Sequence, residues 1–251
     1  CGGLEGMNGL GKALLGLAVA AAAALSLLGP DAKRFQTPEL ARIFFWHFPC
    51  TIACTLLLFW GAWNSLRYLQ TRNPQADVFA TAAIELSLLF GLLVMATGIL
   101  FSRVQWGAWW QQDPRQTSFL LVLLILMAQF VLRSATPEGP RRAALSAAYW
   151  LAATLPIVFL MFVFPRLPQI ANASFHPSDT IQQGQLDPYY RWTVISMLAV
   201  ILMLAAWLYR LRVRAGLAEL ALEEFDGELE ADRGGSAATG VVRPVSLPDK
   251  G

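Results

Sequence analysis

The sequence predicts an all-α integral membrane protein: a bundle of six transmembrane helices with an external tryptophan-rich loop. Of its 251 residues, 56% are hydrophobic and only 14% are charged, whereas about a quarter of the residues of a soluble domain are charged. The apolar residues are grouped into six runs, each close to the roughly 17–25 residues that cross a bilayer as a helix. A soluble domain is therefore excluded, and the formal net charge of +2 gives no sign of a nucleic-acid partner.

The six apolar runs, in chain order, are 10–28, 43–68, 79–101, 117–132, 143–164 and 192–211. Gly29 and Pro30 end the first run, which we interpret as a retained span because it lacks a small-residue cleavage site followed by a soluble domain. Pro49 is predicted to lie in the first turn of the second span, where its missing N–H is tolerated. Pro156 lies inside the fifth run and predicts a kink.

Two polar features lie inside the predicted spans. Glu85 is about two turns into the third run, and an ionisable side chain at such a position usually faces protein or water. Of a helix–helix hydrogen bond and a proton or substrate relay, we favour the first, because no second acidic residue lies at similar depth. Cys50 and Cys54 are interpreted as a small buried pair on the second span, since their spacing is not C-x-x-C.

The chain after residue 212 differs in composition from the six-helix domain, which we place at 1–212. Residues 213–232 are acidic with interspersed leucine and phenylalanine, and they predict a short cytoplasmic helix. Residues 233–251 are rich in Gly, Pro, Ser and Ala, a composition that predicts a disordered tail.

An even number of spans puts both termini on one side, and the bias of positive charge selects that side. The bias is modest and favours cytoplasmic termini, which leaves a surplus of arginine outside for a ligand. The basic residues of the terminal side are Lys12, Arg67, Arg72, Arg133, Arg141, Arg142, Arg210, Arg212 and Arg214. Those of the opposite side are Lys33, Arg34, Arg42, Arg103, Arg115, Arg166 and Arg191.

Three tryptophans, Trp106, Trp109 and Trp110, fall within five residues between the third and fourth spans. If the stretch is helical, they share one face, because residues three and four positions apart are neighbours on a helix. Tryptophan collects at any membrane–water interface, so an aromatic belt is the ordinary interpretation.

The residues around these tryptophans favour a ligand instead. Gly107, Asp113 and the flanking Arg103 and Arg115 accompany the aromatic surface, and together they suit a large planar anion. Asp113 is interpreted either as a helix cap or salt-bridge partner of Arg115, or as the residue that fixes the loop in position.

The only two histidines, His47 and His176, both fall on the predicted outer face. Neutral imidazole is a strong iron ligand, and haem iron takes axial histidine. We therefore predict that a porphyrin rests on the tryptophans, that both histidines serve its iron, and that arginine forks bind its propionates. The arginines predicted for that role are Arg115, Arg103 and Arg42.

Hydrolytic chemistry is not predicted, because the chain contains no G-x-S-x-G, H-E-x-x-H or P-loop motif. The expected activity is coordination of a ligand, so that the chain is not predicted to be an enzyme.

The segment Trp106-Gly-x-Trp-Trp-x-x-Asp113-x-Arg115-x-Thr117-Ser118 resembles the tryptophan-rich "WWD" motif of haem-handling proteins in cytochrome c assembly. The Arg-x-Thr that follows Asp113 is similar to the CcmC-type haem exporter. His47-x-Pro49 resembles the family's first external histidine, and His176 falls where the second lies. Three further sites, Ala76-Asp77, Phe90 and Thr97-Gly98, resemble the family's third helix. The likeness covers roughly residues 10–212.

The resemblance implies a protein of the bacterial inner membrane that binds b-type haem transiently at the outer face. It also implies that haem passes to a periplasmic haem chaperone, helped by ABC-transporter-like subunits. One position departs from the family, because Gln112 stands where a third aromatic residue usually precedes the aspartate. A thinner aromatic platform is expected as a result.

Two alternatives stay open at the level of sequence. A CcsA-type cytochrome c synthetase shares the motif, although the further pair of haem-ligating histidines that would favour it is absent from the sequence. A non-haem membrane scaffold or small-solute transporter would use the tryptophans as anchors alone.

Overall fold

The structure, a computed structural model, is a bundle of long antiparallel helices. It describes residues 8–29, 31, 35, 37–176 and 187–238, with side chains described up to residue 226. Six of the helical segments in this part of the chain are long and apolar enough to cross a membrane, which confirms the predicted multi-pass architecture. The helices are α1 Gly9–Leu28, α2 Phe44–Thr71, α3 Pro74–Trp106, α4 Pro114–Ser134, α5 Pro140–Val158, α6 Pro168–Ala171 and α7 Pro188–Ala238.

Short irregular helices extend two of the spans. A 3-10 turn, Leu40–Ile43, leads directly into α2. At its far end α5 changes to a π-helical turn, Phe159–Val163, and then to a 3-10 turn, Phe164–Arg166. The change follows Pro156, which lies within α5, as expected where a proline removes a backbone donor.

Helices α2 and α3 form the centre of the bundle and pack against each other along their length. A two-residue turn joins them, in which Arg72 is left-handed (φ 55°) and the Asn73 side chain accepts the N–H of Gln75. Helices α4 and α5 cover one side of the pair and α7 the other, while α1 packs on α7 at the periphery.

Two apolar clusters hold this arrangement together. One joins α2, α3 and α7 and includes the free, buried Cys50 and Cys54, which confirms the predicted buried cysteine pair. The other joins α2, α3, α4 and α5 around Trp150, whose side chain is fully buried.

The two ends of the bundle differ in their connections. One end, here called the turn end, carries the short connections 72–73 and 135–139. The other, here called the loop end, is where residues 107–113 join α3 to α4, where α1 ends and α2 begins, and where α5 ends and α7 begins. At about 1.5 Å per residue, the 33 residues of α3 span about 50 Å, which exceeds the hydrocarbon core of about 30 Å.

Three expectations differ from the structure. Pro49 lies inside α2 rather than in its first turn, because helix begins earlier, at Phe44. The segment 213–232 is not a separate helix, because α7 continues without a break to Ala238. The first six residues of the predicted tail 233–251 also belong to α7; its other residues lie outside the described part of the chain, as do Lys33 and Arg34.

Glu85 makes the predicted contact between helices, with a partner that was not predicted. Arg212 of α7 donates from Nε and Nη2 to the two carboxylate oxygens of Glu85, over 2.5 and 3.1 Å. From the sequence, Arg212 was predicted only to be one of the positive charges at the end of the last span. The pair instead joins α3 to α7 as a bidentate ion pair.

Candidate functional site

The tryptophan stretch is a loop, so the shared helical face considered from the sequence is not formed. Helix α3 ends at Trp106, and Gly107 follows with φ 84°. Glycine adopts this left-handed conformation without steric cost, and its N–H closes the helix on the carbonyl of Arg103. Gln112, with φ 56°, makes a second left-handed turn just before α4. The tryptophan-rich loop of the predicted fold is therefore present.

Asp113 connects this loop to the connection that precedes α7. Its side chain caps α4 by accepting the Arg115 N–H over 2.8 Å. The same carboxylate accepts the Ser174 hydroxyl over 2.8 Å and the Phe175 N–H over 2.6 Å. Because the carboxylate is buried, these donors replace the water it has lost. Asp113 is thus both a helix cap and the residue that fixes two loops together.

Side-chain amides hold the loop backbone in place. Gln111 donates to the carbonyl of Trp106 over 2.9 Å, and Gln116 donates to the carbonyl of Trp109 over 3.3 Å. The Ser102 hydroxyl donates to the carbonyl of Ala108 over 2.8 Å. Loop carbonyls that would otherwise need water are therefore bonded from within the protein.

The three tryptophans have different surroundings. Trp106 is half-buried, with ring centres 5.6 Å from Phe101 and 5.8 Å from Phe175. Trp109 and Trp110 are 56% and 37% exposed. Large aromatic rings left open at a membrane protein's rim offer apolar surface to a ligand or a partner.

His47 lies in the first turns of α2, against the far end of α3. Its Nδ1 is 3.0 Å from the Thr97 hydroxyl oxygen. A Cβ on Gly98 would lie 3.2 Å from the imidazole Cε1, so the absence of a side chain there lets the ring lie directly on α3.

His176 reaches the same place from the connection between α6 and α7. The centres of the His47 and His176 rings are 6.5 Å apart, with the ring planes inclined at 46°. Arg115 Nη1 donates to His176 Nδ1 over 3.2 Å. Since Asp113 holds Ser174 and Phe175, it also positions His176, the next residue along the chain.

The other two arginines predicted for the site have different partners. Arg103 donates to the carbonyl of Gly107, and its guanidinium lies 5.9 Å from the centre of the Trp109 ring. Arg42 donates to the carbonyls of Leu27 and Gly29 at the end of α1 and to the Asp31 carboxylate over 2.8 Å.

The structure thus brings most of the predicted site residues together at the loop end. The side chains of His47, His176 and Arg115 lie next to one another. Asp113 holds the backbone of Arg115 and of Phe175 by hydrogen bonds. Arg42 instead secures the end of α1, although it belongs to the same end of the bundle. Four residues of the site were not predicted from the sequence: Thr97, Phe101, Ser174 and Phe175. Of these, only Thr97 could have been found, because it lies next to Gly98.

Known proteins and one family model resemble this chain over most of its length. Residues 8–224 match the family model described as Heme exporter protein C, CcmC. Heme exporter protein C of Bradyrhizobium diazoefficiens is 32% identical over 199 residues, which cover 76% of this chain and 74% of that protein. Heme exporter protein C of Escherichia coli K12 is 25% identical over 184 residues, or 72% of this chain and 71% of that protein.

A third relative comes from a plant. The putative cytochrome c biosynthesis ccmC-like mitochondrial protein of Marchantia polymorpha is 31% identical over 93 residues, or 37% of this chain and 41% of that protein. The family match extends over all six spans, the tryptophan-rich loop and both histidines. This chain therefore belongs to the Heme exporter protein C (CcmC) family.

Proposed function

We propose that this chain holds haem at the loop end of the bundle and delivers it for the maturation of c-type cytochromes. The observation that carries the proposal is the convergence of the chain's only two histidines, from α2 and from the connection before α7, to 6.5 Å between ring centres. Two imidazole–metal bonds of about 2 Å each occupy about 4 Å of that separation. One metal ion bound to both rings fits the remaining geometry.

The donor set favours haem iron over a bare metal ion. Among the residues that the structure describes, no group of three His, Cys, Asp or Glu side chains is placed to hold a metal. A porphyrin brings four nitrogen ligands of its own, so that two imidazoles complete the coordination of its iron. His47 and His176 are the proposed axial ligands.

The surrounding residues suit the rest of the macrocycle. Trp109 and Trp110 present open aromatic surface in the same loop, while Trp106 lies against Phe175, next to His176. We assign Arg115 and Arg103 to the two propionates, because the arginine fork matches a carboxylate. Arg42 is the third arginine predicted for this role. Its bonds to the end of α1 and to Asp31 favour a structural role instead.

The proposed setting is the bacterial inner membrane, with both termini in the cytoplasm and the loop end outside. Haem is b-type and bound transiently, and the chain coordinates it without making or breaking covalent bonds in it. A periplasmic haem chaperone receives the haem, and ABC-transporter-like subunits complete the complex. The names of the relatives and the modest positive bias of the turn end support this placement.

The test is haem content and its ligation in the detergent-purified chain. A pyridine haemochrome assay should detect b-type haem, and the Soret band should weaken in both His47→Ala and His176→Ala. His176→Ala is the more informative of the two variants, because His176 is exposed and its loss leaves the helix packing intact. An unchanged spectrum in both variants would refute the assignment of ligands.

A further inference from the structure

The hydrogen bonds of Thr97 determine which nitrogen of His47 carries the proton. The Thr97 hydroxyl has a single hydrogen, and it donates to the carbonyl of Leu93 over 2.7 Å, with the Val94 carbonyl at 3.2 Å. Its oxygen therefore faces His47 Nδ1, 3.0 Å away, as an acceptor. His47 Nδ1 must carry the proton, which leaves the lone pair on Nε2.

The partner of His176 imposes the opposite arrangement. Arg115 Nη1 lies 3.2 Å from His176 Nδ1, and a guanidinium has donors but no acceptor. His176 Nδ1 therefore holds the lone pair, and the proton of the neutral ring is on Nε2. A protonated ring nitrogen cannot coordinate a metal.

We infer that the two histidines engage haem in a fixed order, with Thr97 as the positioning residue of the first ligand and Arg115 as a latch on the second. This inference rests on the proposed function. His47 offers Nε2 as soon as haem arrives. His176 offers Nε2 only after Arg115 has moved from its Nδ1 to a haem carboxylate.

The strengths of the competing hydrogen bonds favour this exchange. A guanidinium and a carboxylate carry opposite charges and can form two parallel hydrogen bonds, whereas Arg115 makes a single bond to the neutral imidazole of His176. A propionate therefore displaces the neutral imidazole as the partner of Arg115. His176 then gives its Nε2 proton to water and takes one from water at Nδ1, so that no net charge changes and Nε2 is left with its lone pair.

The positions of the residues support the roles assigned to them. Thr97 and Gly98, both half-buried on α3, contact the His47 ring, so the first ligand is held against a helix. Arg115 and His176 lie beside the connection before α7, and His176 is exposed, so the second ligand has room to move. A first ligand held against a helix and a releasable second one suit a protein that must give its haem away.

The first experiment reads the tautomers in the haem-free protein by ¹⁵N NMR of histidine side chains. We expect His47 as the Nδ1–H form, which free histidine in water disfavours, and His176 as the Nε2–H form. Thr97→Val removes the hydroxyl at nearly constant shape and should abolish the Nδ1–H preference of His47. Thr97→Ser restores the hydroxyl and should restore that preference.

The same pair of variants should differ in haem binding. Loss of the partner of a metal-ligating histidine typically costs 10–100-fold in affinity, so we expect Thr97→Val to bind haem at least about tenfold more weakly, and Thr97→Ser to match the unsubstituted protein. His47 found in the Nε2–H form in the unsubstituted protein would overturn the inference.

The second experiment compares iron protoporphyrin IX with its dimethyl ester, which has no carboxylates. At saturation, absorption and EPR should show six-coordinate low-spin iron with the acid and five-coordinate high-spin iron with the ester. In Arg115→Leu, which has no latch and adds no iron ligand, both porphyrins should give six-coordinate iron. Six-coordinate iron with the ester in the unsubstituted protein would overturn the latch, whereas a failure to bind either porphyrin would overturn the proposed function instead.

Discussion

Charged side chains are used differently at the two ends of the bundle. Towards the turn end, arginines pair with carboxylates on neighbouring helices: Arg133 with Asp77 over 2.9 and 3.1 Å, and Arg212 with Glu85. At the loop end Arg42 also pairs with a carboxylate, that of Asp31, but the buried carboxylate of Asp113 is bonded by a hydroxyl and by backbone N–H groups. The pairs towards the turn end join helices, while Asp113 holds the tryptophan-rich loop in position.

The difference bears on the site proposed at the loop end. Arg103 contacts a carbonyl and an indole ring, and Arg115 contacts an imidazole. These contacts place both guanidinium groups beside the tryptophan-rich loop and His176. We propose that they bind the two propionates there, because the arginine fork matches a carboxylate.

The largest effect should come from Asp113→Ala at the loop end. It removes the cap of α4 and the bonds to Ser174 and Phe175, and bonds to a charged group contribute about 1.5–3 kcal/mol each. We expect the loss of about 3 kcal/mol or more of stability and of nearly all bound haem. Thermal unfolding in detergent and haem titration would measure these effects.

Ser174→Ala is the comparison variant for Asp113→Ala, because it removes the hydroxyl that donates to Asp113 and accepts the His176 N–H, and leaves the cap and the Phe175 bond. Its loss of stability should be about 1.5–3 kcal/mol, the contribution of one bond to a charged group, and its haem affinity should fall less than that of Asp113→Ala. If Asp113→Ala retained full haem binding, the loops would not depend on this carboxylate.

The second prediction concerns Glu85, and it tests whether the ion pairs away from the loop end are structural only. Glu85→Gln removes the bidentate partner of Arg212 and leaves the longer ion pair with Glu219, over 3.6 Å. Because the Glu85 and Arg212 side chains are both about a third exposed, solvent screening reduces the cost to about 1–2 kcal/mol of stability. Haem affinity should not change.

The double variant Glu85→Gln/Arg212→Met serves as the control, since it removes both charges and should recover part of the lost stability. A fall in haem affinity in Glu85→Gln, measured on protein that is still folded, would connect this pair to the site and contradict the division between the two ends.

The third prediction separates a haem platform from a membrane anchor. Trp109→Ala removes an exposed ring from the proposed site, and aromatic contacts contribute about 0.5–1.5 kcal/mol beyond the area they bury. Haem affinity should fall by about tenfold while the unfolding temperature changes little. Trp63→Ala, which removes an equally exposed ring from the middle of α2, should leave haem affinity unchanged.

If Trp109→Ala and Trp63→Ala both lowered folding yield and neither altered haem binding, the tryptophans would be anchors. The membrane scaffold considered from the sequence would then be the better interpretation.

The spans were predictable from the sequence because apolar runs of bilayer length have few other uses. The ends of the helices were harder to predict, because the helix is longer than the apolar run. The run 79–101, for example, lies within the longer α3, Pro74–Trp106. Helical hydrogen bonding continues beyond the hydrocarbon core, and there capping residues such as Asn73 and Gly107 decide where the helix stops.

Within the site, the residue types were predictable and the pairings were not. An aspartate before a proline and an apolar run identifies Asp113 as a cap. Its bonds to Ser174 and Phe175, like the pairing of Glu85 with Arg212, join residues far apart in the chain. Such pairs depend on how whole helices pack, and local patterns do not encode that packing.

The smallest effect is expected at Gln112, the position where the related motif carries an aromatic residue. Its φ of 56° is left-handed, a conformation that costs a residue with a Cβ about 1–2 kcal/mol. Gln112 is exposed, so Gln112→Gly should raise stability by about 0.5–1 kcal/mol, because glycine's greater chain entropy in the unfolded state offsets part of the relief.

Gln112→Trp keeps the strain and widens the aromatic surface, so it should leave stability unchanged and bind haem a few-fold more tightly. Thermal unfolding and haem titration of the two variants therefore separate backbone strain from aromatic contact. Weaker haem binding in Gln112→Trp would mean that an added ring blocks the loop end instead of extending its platform.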